Sequence, residues 1–154
     1  MNQQRRDALR ISTVLGLAVA AGLMTPFEAF AAETWNSAAF DTKTLNDTVK
    51  ALGGSSATVS KDLILSAPDI AENGAVVPIS VTTTLPGVQQ IAILVEKNPN
   101  ALSANFTIPA GTEAYVSTRV KMAQTSNVFA LAKVDGKWLV ASKEVKVTLG
   151  GCGG

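Results

Sequence analysis

The spacing of hydrophobic and polar positions changes character three times along this chain. Ile11 to Met24 is a mostly apolar run rich in Ala and Gly. From Trp35 to Leu52 the spacing is helical, with Phe40, Leu45, Val49 and Leu52 falling roughly on one face. Asp41 or Thr42 is placed to cap that helix, and Gly53-Gly54 to stop it. The apolar stripe predicts a helix that covers one side of a sheet. From residue 57 onward the period shortens to that of strands.

Thr58–Ser66 carries Val59, Leu63 and Leu65 in a loosely alternating run, interrupted by Ala67-Pro68-Asp69. Glu72-Asn73-Gly74 marks a turn. Ala75–Thr83 is strongly β-prone, and Pro78 within it, lacking an N–H, predicts an edge strand or a bulge. Val88–Glu96 alternates Ile91, Ile93 and Val95 with Gln90, Ala92 and Leu94. Ser103–Ile108 alternates small or polar with apolar residues, and Glu113–Met122 sets Ala114, Val116, Thr118 and Val120 against Tyr115, Ser117, Arg119 and Lys121. Val128–Val134 and Trp138–Val147 flank Asp135-Gly136, a hairpin signal. Trp138, Val140, Val145 and Val147 read as core, but the alternation slips between them, which predicts a bulge or break at Ser142-Lys143-Glu144. Seven or so short strands separated by turns point to an all-β fold, an immunoglobulin-like antiparallel β-sandwich with an N-terminal helix. The paired cysteines of antibody domains are missing, so the expectation concerns architecture only.

The first apolar run is too short to span a membrane, which takes about 20 residues. It follows a charged segment, Arg5-Arg6-Asp7-Ala8-Leu9-Arg10, and precedes the small-x-small site Ala29-Phe30-Ala31. Residues 1–31 therefore read as a signal peptide. The paired arginines resemble a twin-arginine signal, with Leu9 and Arg10 fitting and Gln4 and Ala8 departing from the pattern. A general secretory signal is the alternative, and either route leads to a bacterial periplasm. Residues 32–149 are then the folded domain and 150–154 a tail.

Composition removes several functions. Without the leader the chain carries ten Lys and Arg against ten Asp and Glu, which gives no reason to expect nucleic-acid or membrane binding. There is no His, so the commonest general base and metal ligand is missing, and no Ser-His or Cys-His pair can be built. The expectation is a protein without catalytic residues, metal or cofactor of its own.

What is left is the tail, Gly150-Gly151-Cys152-Gly153-Gly154, with the single cysteine of the chain. Glycine lacks a Cβ and has the most conformational freedom to lose on ordering, so such a tail is expected to be mobile. As a random coil its five residues reach about 12 Å r.m.s.. Cys152 then reads as a covalent attachment point on a flexible arm formed by Gly150, Gly151, Gly153 and Gly154. One cysteine excludes an internal disulfide, and the four glycines give a buried thiol nothing to pack against. A cross-link between chains stays open: the alternative is a non-catalytic periplasmic interaction module joined through an intermolecular disulfide at Cys152.

The double-arginine leader, the helix ending in Lys50-Ala51-Leu52-Gly53-Gly54, the β-sandwich and the terminal Gly-Gly-Cys-Gly-Gly together resemble the SoxY family, the sulfur-carrier subunits of bacterial thiosulfate oxidation. The resemblance implies a periplasmic carrier that binds thiosulfate-derived sulfur covalently at Cys152 and presents it to enzymes. It implies a heterodimer with a SoxZ-like subunit. It also implies three enzymatic partners: a c-type cytochrome complex that attaches thiosulfate, a hydrolase that releases sulfate, and in many organisms a sulfane dehydrogenase.

Overall fold

The computed structural model describes residues 36–149. Residues 1–35 and 150–154 lie outside the described part. Two short helices, α1 (Ser37–Phe40) and α2 (Leu45–Ala51), precede nine strands: β1 (Ala57–Val59), β2 (Leu63–Ser66), β3 (Ile70–Ala71), β4 (Val77–Thr83), β5 (Val88–Val95), β6 (Leu102–Thr107), β7 (Tyr115–Val120), β8 (Ser126–Val134) and β9 (Lys137–Val147).

The expected single helix is two. Asn36 caps α1 by accepting from the Ala39 N–H, and Thr44 caps α2 by accepting from the Asp47 N–H. Neither Asp41 nor Thr42 caps a helix start; Asp41 is instead the C-cap of α1. The helix breaks because Thr42 turns its hydroxyl to the Ala39 carbonyl at 2.6 Å, while its own carbonyl accepts from Ala101 N. Threonine side chains compete in this way for backbone groups that a helix needs. Gly53, at φ +81°, ends α2 in a Schellman motif: Gly53 N–H donates to Lys50 O and Gly54 N–H to Val49 O.

The strands form two sheets. The larger runs β1-β9-β8-β5-β6, with β3 also on β9; the smaller runs β2-β4-β7. Most pairs are antiparallel, as expected for a β-sandwich, but β1 and β3 each pair with β9 in parallel. The alternating run 58–66 therefore splits. Val59 ends β1 exposed, while Leu63 starts β2 in the other sheet and is buried. Asp135 and Gly136 both have positive φ, which matches the right-handed twist of a tight hairpin between β8 and β9.

Two apolar clusters lie on opposite faces of the larger sheet. Between the sheets, Ile79 and Val81 of β4 meet Ile91, Ile93 and Val95 of β5, Val128 and Ala130 of β8, and Val145 of β9. On the other face, Val49 of the second helix and Leu52, its C-cap, cover Leu94, Leu131, Trp138 and Val140. The layers are helix, large sheet and small sheet. The expectation that the N-terminal helical segment covers a sheet thus holds.

Two strand expectations change. The β8–β9 ladder runs without interruption from Val134↔Lys137 to Ser126↔Val145, so no bulge occurs at Ser142–Glu144. The alternation slips because the buried face switches: Trp138 and Val140 point under the helices, whereas Val145 points between the sheets. Pro78 lies in the middle strand of its sheet, not at an edge. The β2 ladder stops at Ser66↔Ser80, so beside Pro78 that flank of β4 has no strand from which an N–H would be missed.

Candidate functional site

The tail's point of departure is held from three directions. β9 carries Val145 and Val147 into the space between the sheets, and Val145 is fully buried. On one edge, Val147 N–H donates to Thr125 Oγ1 at 2.9 Å. On the other, Thr148 N–H donates to Ala71 O at 3.1 Å, and Thr148 Oγ1 donates to Glu72 O at 3.1 Å. Gly74 then closes the grip, its N–H donating to Leu149 O at 2.7 Å and its carbonyl accepting from Met122 N–H at 2.7 Å. Met122 is completely buried, which ties the clamp to the core. Asn73 shapes the loop, accepting the Ala75 N–H on its side-chain oxygen at 2.8 Å.

Hydrogen bonding thus reaches Leu149, whose side chain is exposed. The all-glycine-and-cysteine segment starts at the next residue. Cys152 and its neighbours Gly150, Gly151, Gly153 and Gly154 fall outside the described residues. β9 ends at Val147, as the Trp138–Val147 run predicts, and hydrogen bonding continues through Thr148 and Leu149. Sequence reasoning missed Glu72–Val76 as the anchor. Asn73-Gly74 signalled only a turn, and nothing local says that this turn meets the chain again at residue 149.

Chemistry elsewhere in the described residues is sparse. No group of three or more His, Cys, Asp or Glu side chains among them is placed to hold a metal ion. No helix among them is long and apolar enough to cross a membrane. At the end of the sandwich away from Leu149, a cavity of about 570 Å³ opens between the 82–88 and 109–114 loops. Its lining is mostly threonine, proline, glycine and alanine, with Glu113 as the one charged group.

The family model for the sulfur oxidation protein SoxY matches residues 49–152. No curated protein matches the chain. Among solved structures, the sulfur carrier protein SoxY from Chlorobium limicola f thiosulfatophilum is 36% identical, with a TM-score of 0.63. That match covers 74% of this chain and all of the other. A chain from a structure of T cell activation by the bacterial superantigen toxic shock syndrome toxin-1 is 11% identical, covers 55% of this chain and 98% of its own, and has a TM-score of 0.38, too remote to bear on fold or function. The family match begins inside the second helix, takes in every strand and the Gly74 clamp, and ends on the cysteine itself: this chain belongs to the SoxY family.

Proposed function

We propose that this protein is a periplasmic sulfur carrier, with Cys152 as the covalent attachment site and Gly150, Gly151, Gly153 and Gly154 as a flexible arm. The observation that carries the reading is the abrupt change at Leu149. A backbone clamped on both edges gives way, within one residue, to a segment with no side chain but a single thiol. A carrier needs that division, a fixed root and a free end. Family membership supports the same role, since the matched region includes Cys152.

The chemistry proceeds without a catalytic residue of this chain. The Cys152 thiolate and the sulfane sulfur of thiosulfate join as Cys–S–S–SO3⁻, and the two electrons released pass to a c-type cytochrome complex. Water then cleaves the S–SO3 bond on a hydrolase, giving sulfate and a cysteine persulfide. A sulfane dehydrogenase, where one is present, oxidises the persulfide sulfur to a sulfonate with three waters, releasing six electrons and six protons; a second hydrolysis restores the thiol. A SoxZ-like subunit is the proposed constant partner. Glycines beside the cysteine suit this traffic, because no side chain widens the arm where it enters a narrow enzyme channel. Tethering also keeps each intermediate at high local concentration near a docked enzyme.

Intact-mass measurement on protein purified from its native periplasm tests the reading. Sulfur adducts on wild-type protein, lost in Cys152→Ser with the fold unchanged, are the expected result. A constitutive disulfide dimer with no adduct overturns it and favours the cross-linked module. The arm is tested by Gly151→Val, expected to slow turnover severalfold in a reconstituted thiosulfate assay while leaving thermal stability as it was. Equal turnover would refute the need for a side-chain-free arm.

A further inference from the structure

We infer that Asn73-Gly74 is a self-modification site: the Asn73 carboxamide is set up to cyclise onto the Gly74 nitrogen and lose ammonia, and the bonds that clamp Thr148 and Leu149 hold the reaction off. Asn73 is the one asparagine of the chain that is followed by glycine. Asparagine is among the thermally labile residues, and its point of attack comes from the backbone nitrogen of the next residue. A Cβ on that residue shields the nitrogen and stiffens the backbone, and glycine has none. Asn98, by contrast, precedes Pro99, whose nitrogen has no proton to lose. Asn73 is exposed, so water reaches its carboxamide, while Gly74 is buried.

Two features of the loop act in opposite directions. Ala75 N–H donates to Asn73 Oδ1 at 2.8 Å. A backbone N–H on that oxygen polarises the carboxamide and stabilises the oxyanion that forms when Cγ is attacked, as such donors do in acyl transfer. The attacking nitrogen is tied down instead. Gly74 N–H is committed to Leu149 O, and the Gly74 carbonyl to Met122 N–H, each at 2.7 Å. Glu72 O, on the other side of Asn73, accepts from Thr148 Oγ1 at 3.1 Å. A hydrogen-bonded amide keeps its proton, and a residue held at both of its peptide groups cannot turn its nitrogen onto Cγ. The loop is armed by Ala75 and latched by Thr148 and Leu149, so it reacts only during a local opening that releases Leu149.

Once released, Gly74 N loses its proton and bonds to Asn73 Cγ. The bond from Cγ to the side-chain nitrogen breaks and ammonia leaves, which closes a succinimide ring. Water opens the ring at one carbonyl or the other, giving aspartate or isoaspartate; nothing is oxidised or reduced. Isoaspartate routes the main chain through the former side chain and adds a methylene between Cα of residue 73 and Gly74. The Thr148 bond to Glu72 and the two Gly74 bonds lie on opposite sides of that insertion, so they no longer fit together. An opening that ends in reaction therefore leaves the segment after β9 less firmly held for good. The reaction needs nothing from Cys152 or its cargo.

The test holds mature full-length protein at mildly alkaline pH. Peptide mapping follows conversion of Asn73 to aspartate and isoaspartate, beside amide exchange at Gly74 and Met122. The same chain in urea gives the unlatched rate. Native protein should convert at Asn73 about tenfold more slowly than the urea sample, or slower still. Thr148→Val, which removes the hydroxyl on Glu72 O at an exposed position, should convert severalfold faster than wild type. In the converted fraction, exchange at Met122 should rise severalfold while that at Leu131 stays as it was. Asn73→Ser keeps an acceptor for Ala75 N–H but has no carboxamide; it should stay unconverted and keep its Met122 protection through the same incubation. Native conversion as fast as in urea, no conversion in either folded protein, Thr148→Val converting at the wild-type rate, or Met122 protection unchanged in converted protein would each overturn the latched site.

Discussion

The two halves of β9 serve different ends, and the contrast separates what holds the protein together from what holds the tail. Along Trp138–Ala141 the strand is covered on both faces. Trp138 and Val140 lie under the helices, and Leu139 and Ala141 pack toward the space between the sheets. From Ser142 onward only one face is covered: Val145 and Val147 point inward, while Ser142, Glu144, Lys146 and Thr148 are exposed. The first half is bound by packing, the second by backbone bonds to Ala71, Gly74 and the Thr125 hydroxyl and by the Thr148 hydroxyl on Glu72 O. A strand can thus be a foundation at one end and a mount at the other, without a bulge between them.

The sharpest way to test this division is to damage the packed half. Trp138 is 1% exposed, and Trp138→Ala should cost about 3–5 kcal/mol in denaturant unfolding. Reactivity of Cys152 toward a small thiol reagent, measured on the folded fraction, should stay at the wild-type value. Trp138→Phe should cost less than the alanine, because the indole N–H it removes has no acceptor in the structure. Next comes Gly54→Ala. A Cβ there would fall 2.2 Å from Trp138 Cδ1 and 2.8 Å from Val49 Cγ1, both on well-packed side chains. Overpacking of that kind costs about 1–3 kcal/mol. A Gly54→Ala protein as stable as wild type would show that the helix layer rides loosely on the sheet and is not part of the foundation.

How much of this was legible in the chain follows from the range of the signals. Asp135-Gly136 announced its hairpin because both positive φ angles are local demands. The inward set Ile91, Ile93 and Val95 was legible from period alone, but the burial of Ala92 and Leu94 was not, since it depends on helices some forty residues earlier. The same blindness turned a change of buried face in β9 into an expected bulge. Pro78 was placed at an edge because sequence shows that an N–H is missing, not where the neighbouring strand stops. At the site, Cys152 stood out by composition. The Gly74 clamp did not, because it joins residues 75 positions apart through the parallel β3–β9 contact, which no hydrophobic pattern encodes.

The smallest effect should come from the mounting half, and its character matters more than its size. Thr125 contributes one acceptor, its hydroxyl, to the Val147 N–H in a partly buried setting. Thr125→Val keeps the side-chain shape and removes that acceptor, which costs about 1 kcal/mol when a backbone donor is left without a partner. Val147 sits two residues from Leu149, beyond the last β8–β9 pair at Val145, so the loss should be absorbed by local fraying. Amide exchange at Val147 and Thr148 should accelerate severalfold, with protection of Leu131 and Val140 unchanged. Because Thr148 and Leu149 are still held by Ala71 and Gly74, the root should loosen without letting go. If exchange instead rose across the whole sheet, as expected for Trp138→Ala, the mounting half would be part of the foundation, and the division between the two ends of β9 would have to be given up.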